Sequence, residues 1–419
     1  MKILCHVPDG LPRPIPQGMR AFSLFSTAGE AGVGTIARGW VRELENAGHA
    51  PPPAEWDFTV LCFAVCAADL ASPRRASPDG WTRQIDLTVA LHDPTPWTAQ
   101  QGRIEAMLRV LTGDFWTLSF QSGGRSPPRG ERVLCDRDCV VLLSGGLDSL
   151  VGGIDVTSSG RRPIFVSQLA HEDSERQRTY ARALGGVNWH QQWSHGIDFS
   201  GDHEPSTRAR SLAFYGLAVL ASTLLPTGNP EIVVPENGFI SVNPPLLPGR
   251  MGSLSTRTTH PLFMRMLGEI LARAGIGATL SMPYRFKTKG EMLTDCLDQN
   301  MLLSLASDTT SCGRFRTYNR THCGRCIPCM VRKAAFLRWG TVPDATRYKF
   351  GSLAGADKSG ADDPMAVACA VRHRDSKGID AFLGSALSFA GATELARYTR
   401  VIDAGLEELK VLLRRDGIL

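Results

Sequence analysis

Between residues 139 and 156 the chain passes through an apolar stretch, a Ser/Gly turn and a helix-forming segment, and this order constrains the fold more than any other feature. Cys139-Val140-Val141-Leu142-Leu143 has no polar residue, the pattern of a strand buried on both faces of a parallel sheet. Ser144-Gly145-Gly146-Leu147-Asp148-Ser149 follows, and Leu150 to Val156 can carry a helix. Glycines permit a tight turn and close approach of a ligand to the backbone. The free N–H groups at a helix start, with the helix dipole, favour an anion there. The two serines add hydroxyl donors. No G-x-x-x-x-G-K-[ST] occurs, so this is not a Walker-type nucleotide loop.

The neighbouring segments extend the pattern. Pro163–Ser167, Asn188–Trp193, Glu231–Pro235 and Ala278–Ser281 read as further strands. Glu175–Leu184, Arg210–Leu225 and Thr259–Ala274 read as helices between them. Alternating strands and helices predict a doubly wound parallel α/β sheet, with ligands beyond the carboxyl ends of the strands. The Ser144 loop, Glu236 and the residues after Ser281 share that edge. Residues 1–135 are expected to form an N-terminal accessory α+β domain, 136–340 the loop-bearing domain and 341–419 a helical C-terminal extension. In the first segment, Lys2–Val7, Gln84–Leu91 and Thr117–Phe120 read as strands, Thr35–Ala47 and Phe58–Leu70 as helices, and 121–130 as a linker. Gly32-Val33-Gly34-Thr35-Ile36-Ala37 imitates a dinucleotide fingerprint but follows no clear strand, and is read as a helix-start turn. Leu395–Leu413 carries an amphipathic stripe.

Net charge is +5 with a pI near 8.7. That suits a nucleotide ligand but is spread too thinly to require a nucleic acid. No apolar run reaches the roughly eighteen residues that span a bilayer, so no membrane association is expected. The start lacks the apolar core of a signal peptide, and a cytoplasmic protein is expected. Cysteines number eleven, four of them in C-x10-C-x2-C-x2-C: Cys312, Cys323, Cys326 and Cys329. Four thiolates at this spacing suit a structural zinc; an iron–sulfur cluster uses similar spacings, and His322 competes for one position. Cys62/Cys66 and Cys135/Cys139 are read as small buried residues.

The Ser144–Ser149 loop and the cysteine cluster together resemble the QueC-like family of PP-loop ATP pyrophosphatases, the 7-cyano-7-deazaguanine synthases. Thr288-Lys289-Gly290-Glu291 is similar to the family's T-K-x-E segment. Thr310-Ser311-Cys312 and the run from Cys323 to Phe336 follow its metal site. The likeness covers residues 139 to 340, about half the chain. The family's P-x-R-N stretch is replaced by Thr207-Arg208-Ala209-Arg210-Ser211. Its substrate loop is replaced by Pro235-Glu236-Asn237-Gly238-Phe239, Asn243–Leu246 and Arg250–Pro261. With the extra N- and C-terminal segments, these departures look like the family's anti-phage defence subgroup.

The resemblance implies a Rossmann-like PP-loop/HUP-type fold with a zinc-binding insertion. It implies a ligase using ATP, Mg2+ and Zn2+ to adenylate 7-carboxy-7-deazaguanine, with an amide to a partner protein as product. Ser144, Gly145, Gly146, Leu147, Asp148 and Ser149 would grip the pyrophosphate of ATP. Asp148, directly or through Mg2+, Lys289, Arg208 and Arg210 would act catalytically, the arginines on a phosphate or the substrate carboxylate. Glu236, Asn237 and Arg257 would contact the deazaguanine, and His260 is a further candidate. Nitrile formation with ammonia, a nucleotide-holding scaffold and tRNA modification are the alternatives. Oligomerisation is compatible with all of them.

Overall fold

The computed structural model describes residues 1–130, 134–169, 173–246, 257–355 and 363–419. The expected Arg250–Thr256 substrate stretch lies outside the described residues. The described strands are β1 (Lys2–His6), β2 (Met19–Leu24), β3 (Val33–Ile36), β4 (Gln84–Ala90), β5 (Phe115–Gln121), β6 (Cys139–Leu142), β7 (Pro163–Gln168), β8 (His190–Trp193), β9 (Ile197–Asp198), β10 (Glu231–Val233) and β11 (Thr279–Ser281).

The sheet carrying the loop runs β11-β10-β6-β7-β8, with every neighbouring pair parallel. Strand β6 is central, which explains its unbroken apolar sequence. Val140, Leu142, Ile164, Val166 and Ile232 face one core, built with the helices Pro53–Ala71 and Arg210–Ser222. Cys139, Val141, Phe165 and Val233 face a second core, with the helices Leu147–Ser158 and Ile327–Trp339. Successive residues of a strand point to opposite faces, so both faces require apolar side chains here.

The other sheet runs β5-β4-β1-β2-β3-β9. Its first five strands are mutually parallel and only β9, returning from beyond β8, is antiparallel. The expected α+β layer is therefore corrected to a largely parallel α/β layer. Residues Val33–Ile36 are also corrected, from a helix start to a strand. Val33, Thr35 and Ile36 are β-branched and pair with β2, and the helix begins only at Trp40 after the left-handed Gly39. The two layers share one core, in which Pro53–Ala71 packs along Arg210–Ser222.

The C-terminal helix Ala392–Arg415 buries Tyr398, Val401, Ile402, Leu406, Leu409, Leu412 and Leu413. It packs against Ile327–Trp339, at about 1.5–3 kcal/mol for each fully buried large apolar side chain. No helix among the described residues is long and apolar enough to cross a membrane.

Candidate functional site

The turn after β6 places Gly145 at φ 91°, a left-handed conformation that glycine adopts without strain. Gly152 faces Pro235, where a Cβ would fall 2.2 Å from the proline ring, so the Leu147–Ser158 helix lies close to the end of β10. Ser144 Oγ donates to Ser149 Oγ at 3.1 Å, and Ser149 Oγ donates to the Gly146 carbonyl at 2.8 Å. No side chain caps this helix, so its first-turn N–H groups stay available. The short helices beside it differ: Asn237 caps Gly238–Val242, and Thr288 with Glu291 forms a capping box on Lys289–Thr294.

Asp148, Asn237 and Lys289 meet at the carboxyl edge of the sheet. Asp148 accepts from the Asn237 backbone N–H at 3.2 Å and from its Nδ2 at 2.7 Å, and Lys289 Nζ donates to its other oxygen. Burial opposes ionisation of Asp148. The Lys289 charge and hydrogen bonds from Glu236, Lys289 and Asn237 outweigh it and hold the carboxyl below its usual range. Glu236 is the converse. Burial, then the adjacent Asp148 charge, pushes it well above the carboxylate range.

These groups open on a cavity of about 300 Å³, lined by Ser144, Gly146, Asp148, Glu236, Lys289 and the aromatic Tyr215 among others. A second cavity of about 360 Å³ adjoins it, lined by Gln168, Asp173, Gln177, Arg208 and Arg210. Ser144, Ser211, Phe214 and Thr258 belong to both walls. The Ser211 hydroxyl is buried at this junction with no hydrogen-bond partner among the described residues.

The expected site residues separate into groups. The loop residues, Asp148, Lys289 and Glu236 come together as expected from their shared edge. Asn237 is outside both cavity walls: its side chain is fully buried, with Nδ2 on Asp148 and Oδ1 accepting from the Ile240 N–H. Its side chain and backbone N–H together clamp Asp148. The arginines diverge. Arg208 donates to the Thr112 carbonyl at 2.9 Å and stacks over Trp81 at 4.8 Å, so its charge is spent on the first layer. Burial, aided by Arg74, lowers its pKa to about 10. Arg210 is exposed beside the second cavity, and its guanidinium has no hydrogen-bond partner among the described residues. Arg257 is outside both cavity walls, although Thr258 and Thr259 line the first. His260 caps the Pro261–Arg273 helix by accepting from the Leu262 N–H at 3.2 Å, a structural role.

The four cysteines form one cluster, with all sulfur atoms within 4.8 Å of one another. Cys312–Cys326 and Cys323–Cys329 sulfur separations are both 3.9 Å. Tetrahedral zinc with Zn–S near 2.3 Å requires sulfurs about 3.8 Å apart, so the cluster fits a closed four-thiolate metal site. Backbone N–H groups of Cys323 and Arg314 donate to Cys312 Sγ, and those of Arg325 and Cys326 to Cys323 Sγ, at 3.2–3.4 Å. Such donors favour the thiolate. His322 is not a ligand: its Nε2 accepts from the Ser311 N–H at 3.1 Å.

The cluster braces the cavity. Thr310 and Ser311, next to Cys312, and Pro328, between two ligands, line its wall. The Thr310 N–H donates to the Gly145 carbonyl at 3.1 Å. Arg332, one turn beyond Cys329 and fully buried, donates to Thr309 Oγ1 and Ser311 Oγ. Sequence reasoning missed Ser211, Phe214, Tyr215 and Arg332. The first three carry a helical spacing on Arg210–Ser222 that was read only as packing. No family model matches this chain, and a search of curated proteins finds no match.

Proposed function

We propose that this chain is an ATP-dependent ligase of the PP-loop, doubly wound type that activates a carboxylate by adenylation. The acid is 7-carboxy-7-deazaguanine, and the product is an amide with a partner protein in an anti-phage defence system. One observation carries the reading: an uncapped Ser/Gly helix start opens into the same cavity as the buried Asp148–Lys289 pair. The resemblance in sequence supplies the substrate and the setting.

A carboxylate is unreactive towards amines because its leaving group would be oxide. Its oxygen attacks the α-phosphorus of ATP, the bond to the β-phosphate oxygen breaks, and pyrophosphate leaves. The amine then attacks the acyl carbon, AMP departs, and the amine proton is released. The first-turn N–H groups and the Ser144 and Ser149 hydroxyls hold the pyrophosphate. Lys289, fixed on Asp148, keeps a cation beside the charge that develops. Asp148 is the carboxylate that would hold Mg2+, which would neutralise charge on the phosphates. Glu236, beside Tyr215, takes the ring N–H and amino groups of the base, and Arg210 takes a phosphate or the acid's carboxylate. The cysteine cluster takes Zn2+ and stiffens the rim.

Mass spectrometry after incubation with ATP, Mg2+ and the acid tests this, with ammonium in one arm and a co-expressed neighbouring protein in another. A deazaguanine mass added to the protein supports the ligase, and a free nitrile supports the synthase alternative. AMP production that does not depend on the acid overturns both.

A further inference from the structure

The sequence resemblance ends near residue 340, yet the C-terminal helix reaches the candidate site. Thr288, immediately before Lys289, has one hydroxyl proton and donates it to Glu408 of the Ala392–Arg415 helix. The same hydroxyl accepts from the Glu291 N–H at 3.1 Å. Glu291 closes the capping box by accepting from the Thr288 N–H at 2.8 Å, and Arg400 of the C-terminal helix grips its carboxylate. Arg338 joins the group, 3.1 Å from Glu408 and 3.5 Å from Glu291.

The glycines record the closeness of these contacts. A Cβ on Gly290 would lie 2.5 Å from Arg338 Cδ and 2.7 Å from Glu408 Oε1. A side chain at Gly290 would have to displace Arg338 of the Ile327–Trp339 helix and Glu408 of the C-terminal helix. A Cβ on Gly405 would lie 2.2 Å from the Phe239 ring, which stands two residues beyond Asn237. One helix thus presses on both short helices that hold Asp148: at Phe239 on the Asn237 side and at Thr288 on the Lys289 side.

We propose that Glu408 is a positioning residue for Lys289, and that the C-terminal extension sets the geometry of the Asp148–Lys289 pair. The catalytic part of this inference rests on the reading under Proposed function. The geometric part does not.

The test uses the full chain. Two readouts are taken: pyrophosphate release, and the rate at which acetic anhydride modifies Lys289, followed by mass spectrometry without substrates. Glu408→Ala frees the Thr288 hydroxyl. It is expected to lower kcat by about 10²-fold, the scale on which a ~1 Å misplacement acts, and to change KM for ATP less. Lys289 should also become more readily acetylated. Glu408→Gln keeps an acceptor for Thr288 and should restore most of both properties. Leu413→Ala, buried on the same helix, controls for lost stability. Lys289 protection unchanged in Glu408→Ala, or equal losses in Leu413→Ala at matched folded fraction, would overturn the proposal. If the unaltered chain releases no pyrophosphate, the ligase reading fails, while the acetylation readout still decides the positioning of Lys289.

Discussion

Two clusters of charge lie among the described residues, one in each layer, and they are built in opposite ways. In the first layer, Asp114 accepts from Arg74 at 2.8 Å and from Arg83 at 2.6 Å, and Arg83 reaches Asp69. Asp69 in turn accepts the N–H groups of Arg208 and Ala209 at 2.7 Å each, holding the start of the helix. Burial opposes ionisation of Asp114, but Arg83 and Arg74 keep its carboxyl below the usual range. The second cluster joins Asp148, Glu236 and Lys289. Asp148 and Lys289 are buried, Glu236 is half-buried, all three side chains line a cavity, and the Glu236 carboxyl is raised well above its usual range. A perturbed carboxylate is common to both clusters; among the described residues, only the second lines the cavity into which the Ser144–Ser149 helix start opens. Buried charge therefore locates a site only when concavity and unused donors accompany it.

Substitutions should separate the clusters. Asp148→Ala is expected to cut acid-dependent pyrophosphate release per folded chain by about 10³-fold, as loss of a preorganised electrostatic group does, with a smaller loss of stability because the cavity lets water reach the Lys289 left unpaired. Asp114→Ala should do the reverse. It leaves two buried guanidinium groups without their shared carboxylate, costing about 3–5 kcal/mol in denaturant unfolding, with turnover per folded chain kept. Equal effects on both properties in either variant would erase the distinction.

Cys326→Ser examines the brace on the open cluster. Bound metal should disappear from elemental analysis and the melting temperature should fall, because metal-binding free energy becomes folding free energy. Unchanged metal content would contradict the four-thiolate assignment.

Arg208 and Arg210 sharpen the comparison within one turn of chain. Arg210→Ala should raise KM for ATP or the acid about tenfold, within the ~1.5–3 kcal/mol of a charged hydrogen bond, at constant melting temperature. Arg208→Ala should lower stability and leave KM unchanged. The opposite assignment would move Arg208 into the site.

The smallest expected effect is a pH slope. Glu236 is raised above its ordinary value near 4.5 in the folded chain. Its contribution is full below that value and is lost as pH rises through the folded pKa. Glu236→Gln removes the loss, so the variant's melting temperature should decline less than the unaltered chain's towards alkaline pH. Parallel slopes would show that Glu236 is ionised in the fold.

Much of this was legible before the fold was known. The unbroken apolar run at Cys139–Leu143 marks the central strand, and the cysteine spacing marks the four-thiolate cluster. Strand order places Asp148, Glu236 and Lys289 on one edge. Periodicity carries less where segments are short or mixed. Strand β2 is Met-Arg-Ala-Phe-Ser-Leu, without clean alternation, and was missed. The Gln101–Thr112 helix was also missed, although Ile104, Met107, Leu108 and Leu111 form its buried stripe. The roles of Asn237, Arg208 and Glu408 depend on partners far along the chain: Asp148, Thr112 and Thr288. No local pattern encodes such pairings, which tertiary packing alone creates.

The central claim is that ATP is held by its pyrophosphate at the Ser144–Ser149 turn while an acid is adenylated. The most direct measurement is exchange of labelled pyrophosphate into ATP, with and without 7-carboxy-7-deazaguanine. The account predicts exchange that requires the acid and disappears in Asp148→Ala. Exchange that ignores the acid, or that persists in Asp148→Ala, would contradict it.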